Sequence, residues 1–86
     1  MLEFRKVKCG KSILLTTVRQ SFENNKPNTF EGRLVCKASE RTQWQDSSNI
    51  DRLTYDDAML DAYNMLDDYI QINKELINVC DILIGR

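Results

Sequence analysis

The sequence predicts an α+β domain in which a three-stranded, or four-stranded, antiparallel sheet is followed by a long C-terminal helix, in the order β-β-β-α. Three observations predict it. Residues 2–38 alternate apolar and polar side chains in runs separated by turn formers, which is the period-two pattern of half-buried strands. Residues 54–84 carry apolar side chains at helical spacing with no glycine or proline among them. Finally, 86 residues with 42% hydrophobic and 29% charged content suffice for one core and not for two. Residues 1–86 therefore form a single domain.

In the first strand, residues 2–8, Leu2 and Phe4 fall on one face and Glu3 and Arg5 on the other, and Cys9-Gly10-Lys11 supplies a hairpin turn. Ser12 to Arg19 is β-branched and aliphatic, with Ile13, Leu14 and Leu15 spread over both faces. That predicts a central strand. Glu23 to Thr29 gathers turn formers around Pro27, whose fixed φ and missing donor exclude a sheet interior. Phe30 to Ala38 alternates again, with Phe30, Leu34, Cys36 and Ala38 on one side and Glu31, Arg33, Val35 and Lys37 on the other. Residues 39–53 are polar apart from Trp44, Ile50 and Leu53, with a short fourth strand around Thr42 to Gln45.

Thr54-Tyr55-Asp56-Asp57 reads as a helix start. The threonine accepts from an exposed amide as N-cap, and the two acids suit the positive end of the helix. Nothing breaks the pattern before Ile84, and Gly85 is placed to stop it. With Met59 as heptad position a, apolar residues occupy positions a, d, e and g, which is four of seven. A helix lying on one sheet needs about three. A helix of about 30 residues would span ~45 Å, against ~27 Å for an eight-residue strand, and so should overhang its own sheet. The surplus predicts a homo-oligomer or partner interface built from Tyr69, Ile70, Ile72, Asn73, Leu76, Ile77, Val79, Cys80, Leu83 and Ile84, with Asn73 setting the register. The competing reading is a chain that folds back, breaking near Asn73 into two helices that bury each other.

Charge divides the chain. Residues 1–53 hold ten Lys or Arg against six acids, a net of +4, and residues 54–86 hold two against seven, a net of −5. This describes a basic sheet half and an acidic-faced helix half, a statement about partners. Arg5, Lys8, Lys11, Arg19, Arg33, Lys37 and Arg41, with Trp44 as a stacking platform, are the candidate nucleic-acid contacts. The plainer reading is that such charges keep a sheet face and its edges soluble. Trp44 is also a candidate partner anchor, or else a lid over one end of the core.

The chemistry-bearing motifs fail on inspection. Gly10-Lys11-Ser12 matches the end of a phosphate-binding loop, yet the required earlier glycine is replaced by Arg5 and a strand follows instead of a helix. The aspartates at 56, 57, 61, 67 and 68 spread over several helix faces and do not converge as a cation loop would. No histidine is present to serve as a base or complete a zinc site, and Cys9, Cys36 and Cys80 show no paired spacing. No catalytic, metal or cofactor site is expected. The cysteine set and the strand-like N-terminus without an apolar leader predict a cytoplasmic protein, host cytoplasm if viral, that does not enter a membrane.

The expected function is therefore a small non-enzymatic protein-binding module, a self-associating inhibitor or sequestering protein that acts by steric occlusion. The alternatives are a nucleic-acid-binding module using the basic sheet, and a structural subunit. The β-β-β-α order with Thr54-Tyr55-Asp56-Asp57-Ala58 at the helix start resembles small accessory domains, antitoxin-type ones among them. The size and the absence of chemistry resemble small viral or mobile-element proteins that bind a host factor.

Overall fold

The computed structural model describes residues 1–9, 12–22, 28–38, 43–72 and 81–84. Its elements are β1 (Arg5–Cys9), β2 (Ser12–Ser21), β3 (Thr29–Lys37), β4 (Gln43–Ser47), α1 (Tyr55–Ile72) and β5 (Asp81–Ile84). The strands form one antiparallel sheet in the order β4-β3-β2-β1-β5. The expected α+β arrangement, an antiparallel sheet followed by a helix, is present, with the fourth strand at Gln43–Ser47. β2 lies at the centre, as its two apolar faces demand.

Helix α1 covers one face of the sheet. Val7, Leu14 and Cys36 stand side by side on neighbouring strands and join Leu34 and Leu66 in the core, with Met65, Tyr69 and Ile70 packed against them. From the helix, Ala58, Met59 and Ala62 are completely buried. The close approach of helix to sheet depends on Gly32. A Cβ there would lie 2.2 Å from the Ala58 carbonyl oxygen and 2.8 Å from the Ala62 amide nitrogen. Glycine on the strand and two alanines one turn apart let the backbones touch.

The segment after β4 returns along β3. Ser48 N–H donates to the Gly32 carbonyl, and Phe30 and Arg52 exchange both backbone bonds at 2.8 and 2.7 Å. Asn49 makes the turn at φ 58°, a left-handed conformation that asparagine tolerates. Arg52 then donates to both carboxylate oxygens of Asp61, at 2.7 and 2.9 Å. This bidentate pair clamps the connection to the helix and raises the guanidinium pKa further. Thr54 caps α1, its Oγ1 accepting from Asp57 N–H at 3.2 Å, as the sequence predicts.

Two expectations are corrected. The helix does not run to Ile84: it is 18 residues long, Tyr55–Ile72, and Asp81–Ile84 is a strand paired with β1. Its ~27 Å length matches the ~30 Å of β3, so the described helix has no overhang. The physical reason is that an Asp-Ile-Leu-Ile run suits strand and buried helix equally, and the edge of β1 offers it backbone partners.

The second correction concerns the first strand, which begins at Arg5 and leaves out Leu2 and Phe4, with Val7, 1% exposed, as its core residue. Those residues precede the strand and run along α1, where Leu2 N–H donates to Asp56 Oδ1 and the Tyr63 hydroxyl donates to the Glu3 carbonyl. On β3 the expected alternation of sides holds, with Leu34 and Cys36 in the core and Val35 on the other face with Arg33 and Lys37, although Val35 is buried there and Ala38 is exposed. Ala38 follows the last strand residue, and Val35 is shielded between Leu15 and Gln45 on the neighbouring strands.

Candidate interaction surface

The second face of the sheet follows from the register. Strand residues alternate between faces, so the neighbours of Val7, Leu14 and Cys36 all point away from α1. Two cross-strand rows occupy the middle. One runs Lys6, Leu15, Val35, Gln45, and the other runs Lys8, Ile13, Lys37, Gln43. Ile13 therefore has a lysine beside it on each neighbouring strand. Ile13 and Leu15 are half-buried and Val35 is 6% exposed, although no described element lies over them. The surface has an apolar centre bordered by ammonium groups.

The end of this face nearer the β2–β3 connection is electrostatically settled. Glu31 is paired with Arg33 at 3.0 Å, and Arg33 also donates to Gln45 Oε1 at 3.3 Å. A hydrogen bond from Ser47 holds the Glu31 carboxyl below the usual glutamate range, and partial burial opposes it; Arg33 and the charge of Arg19 act in the same direction as Ser47. The guanidiniums at this end already have a carboxylate to serve. Lys6, Lys8 and Lys37 have no ion pair among the described side chains, and Asp81 of β5 stands opposite Lys8 in the register.

Of the candidate nucleic-acid contacts, Lys8, Arg19, Arg33 and Lys37 share this open face, while Lys11 and Arg41 lie outside the described residues. Arg5 does not share it: its guanidinium stacks 3.8 Å from the Tyr63 ring centroid on the helix side. Trp44 is also on the helix side, because it pairs with inward-facing Cys36. Its ring lies 5.7 Å from that of Tyr69, the position of a lid over the core and the wrong face for a stacking platform among the lysines.

The described candidate oligomer residues divide between helix α1 and strand β5. Tyr69 and Ile70 pack against the chain's own core, and Ile72 is 82% exposed at the helix end. Leu83 and Ile84 are in β5, and Asn73, Leu76, Ile77, Val79 and Cys80 lie outside the described residues. The residues that sequence reasoning missed are Lys6, Ile13, Leu15 and Val35. Their signal was Lys6-Val7-Lys8, which places the inward residue of β1 at Val7 once Leu2 and Phe4 are excluded from the strand.

Among the described residues, no three His, Cys, Asp or Glu side chains converge as a cation site would require, and no helix is long and apolar enough to cross a membrane. Cys36 is a buried free thiol whose pKa is pushed up by burial, the opposite of an activated nucleophile. An open hollow of about 400 Å³ beside Met1, Thr54, Tyr55 and Asp56 adjoins Asp56, which the N-terminal amine and Leu2 already engage. Comparison of the chain with protein-family models, with curated proteins and with solved structures finds no match.

Proposed function

We propose that the chain is a non-enzymatic protein-binding module that occludes a partner with the open face of its sheet. The supporting observation is the run Ile13, Leu15 and Val35 at the middle of a face that α1 leaves uncovered. An antiparallel sheet with one face in water normally alternates cleanly to polar side chains there. Three apolar neighbours bordered by Lys6, Lys8 and Lys37 instead favour a partner with an apolar patch inside an acidic rim. Binding interfaces share this anatomy of apolar core and polar rim. We extend the reading to an inhibitor or sequestering protein working in a reducing cytoplasm, because Cys36 is a buried free thiol.

Affinity capture with a Lys8→Glu/Lys37→Glu bait tests the reading. A protein retained by the wild-type chain after nuclease treatment, and lost by the variant, is the expected outcome. Trp44→Ala should retain that partner while lowering unfolding free energy by about 1–2 kcal/mol, because the Trp44–Tyr69 contact is structural. Retention of the same partner by the lysine variant sinks the assignment to this face.

The clustering of the lysines also favours a second reading, a nucleic-acid-binding sheet. Three phosphate contacts would give a log-affinity against log-salt slope of about −3 on duplex DNA. An apolar-centred protein interface has a much shallower dependence.

A further inference from the structure

We infer that the molecule is self-complementary in a head-to-tail sense, the basic open face of one copy receiving the acidic outer face of helix α1 of the next. The outer side of α1 exposes Asp67 and Asp68, neither of which has an ion pair to a described residue. Asp56 and Asp61, by contrast, are already engaged by the N-terminal amine and Arg52. On the same side, Leu60 is 48% exposed, two helical turns before Asp67.

The opposite face of the molecule presents the counterpart, half-buried Ile13 and Leu15 with Lys6, Lys8 and Lys37 around them. Leu60 seated on Ile13 and Leu15 brings the aspartates, ~10 Å further along the helix, toward the ends of the flexible lysine side chains. Each sheet then has a helix on both faces, its own and its neighbour's, an arrangement in which helices cover both sides of a sheet.

The geometry determines the kind of assembly. The two patches lie on opposite faces of one chain, so a pair of copies satisfies one contact and leaves a free sheet face at one end and a free helix at the other. The contact is heterologous, so further copies can add at either end and a two-fold pair does not exhaust it. A net charge of −1 leaves little overall repulsion to oppose it, and the charged contacts make it sensitive to salt. This inference is independent of the foreign partner proposed above, which would compete for the same sheet face.

Sedimentation of the full chain from about 10 μM to about 1 mM, at about 20 mM and about 500 mM NaCl, tests it. The average mass should rise with concentration past twice the 10.1 kDa monomer, and association should weaken at least about tenfold at the higher salt. Lys8→Glu/Lys37→Glu and Asp67→Lys/Asp68→Lys should each be monomeric, with unchanged circular dichroism, and an equimolar mixture of the two should associate again.

Should a reversed pair fail to fold, the neutral variants Lys37→Gln and Asp68→Asn replace it and should each weaken association. A wild-type chain that stays monomeric throughout, a closed dimer, or variants that associate like wild type would each overturn the inference. Capture of a foreign protein by the sheet face would not rescue it, and the absence of capture would not count against it.

Discussion

Thr16 is the one buried polar or charged side chain among the described residues, with no exposure at all. Its position explains how it is tolerated. The β1–β2 ladder begins at Lys6 and Leu15, and one step further the Thr16 Oγ1 accepts from Arg5 N–H at 2.7 Å. The side chain thus satisfies a backbone donor at the end of the ladder. Thr16→Val keeps the shape and orphans that amide, so urea denaturation should show a loss of about 1–2 kcal/mol. A neutral result would mean that water replaces the hydroxyl. At the same scale, Arg5 illustrates a basic residue whose charge has a structural partner: its stacking on Tyr63 removes it from the cations of the open face.

At the scale of the element, α1 is positioned by the absence of side chain beneath it as much as by the apolar residues it buries. Gly32 faces the turn between Ala58 and Ala62, whose side chains are completely buried. Gly32→Ala would force the helix away from β3 and should lower unfolding free energy by about 1–3 kcal/mol, the cost of overpacking, read from the thermal or urea midpoint. Such a change is opposite to what the better strand propensity of alanine alone would produce. Both ends of the helix connection are held by specific groups: Thr54 caps the first turn, Asp61 grips Arg52, and Phe30 meets Tyr55 edge to face at 6.3 Å.

Across the whole molecule, charge is segregated, and the part already neutralised within the fold links stability to pH. The folded-state pKa of Glu31 is lowered, chiefly by the Ser47 hydrogen bond. A lowered folded pKa contributes stability that is complete above the unfolded glutamate value and disappears as pH falls through the folded one. The urea midpoint of the wild-type chain should therefore fall as pH drops below about 4.3. Glu31→Gln should be less stable at neutral pH and show a shallower acid slope in that window. Equal slopes would mean that the Ser47 and Arg33 contacts are not made in solution.

The alternating runs and their turn formers were enough to place β2 at the centre, to mark β3 and to put the N-cap at Thr54, because each depends on residues within a few positions of one another. The strand at Asp81–Ile84, the inward turn of Val7, the side of the sheet taken by Trp44 and the close approach at Gly32 were not legible in that way. Short apolar runs satisfy either period, and a strand has no inner face until something packs on it. Those four outcomes were settled by pairing and packing between residues distant along the chain, where the free edge of β1 and the backbone of α1 choose among locally equivalent conformations. The same long-range pairing carried Lys6, Lys8 and Lys37 to one face and left Arg5 on the other.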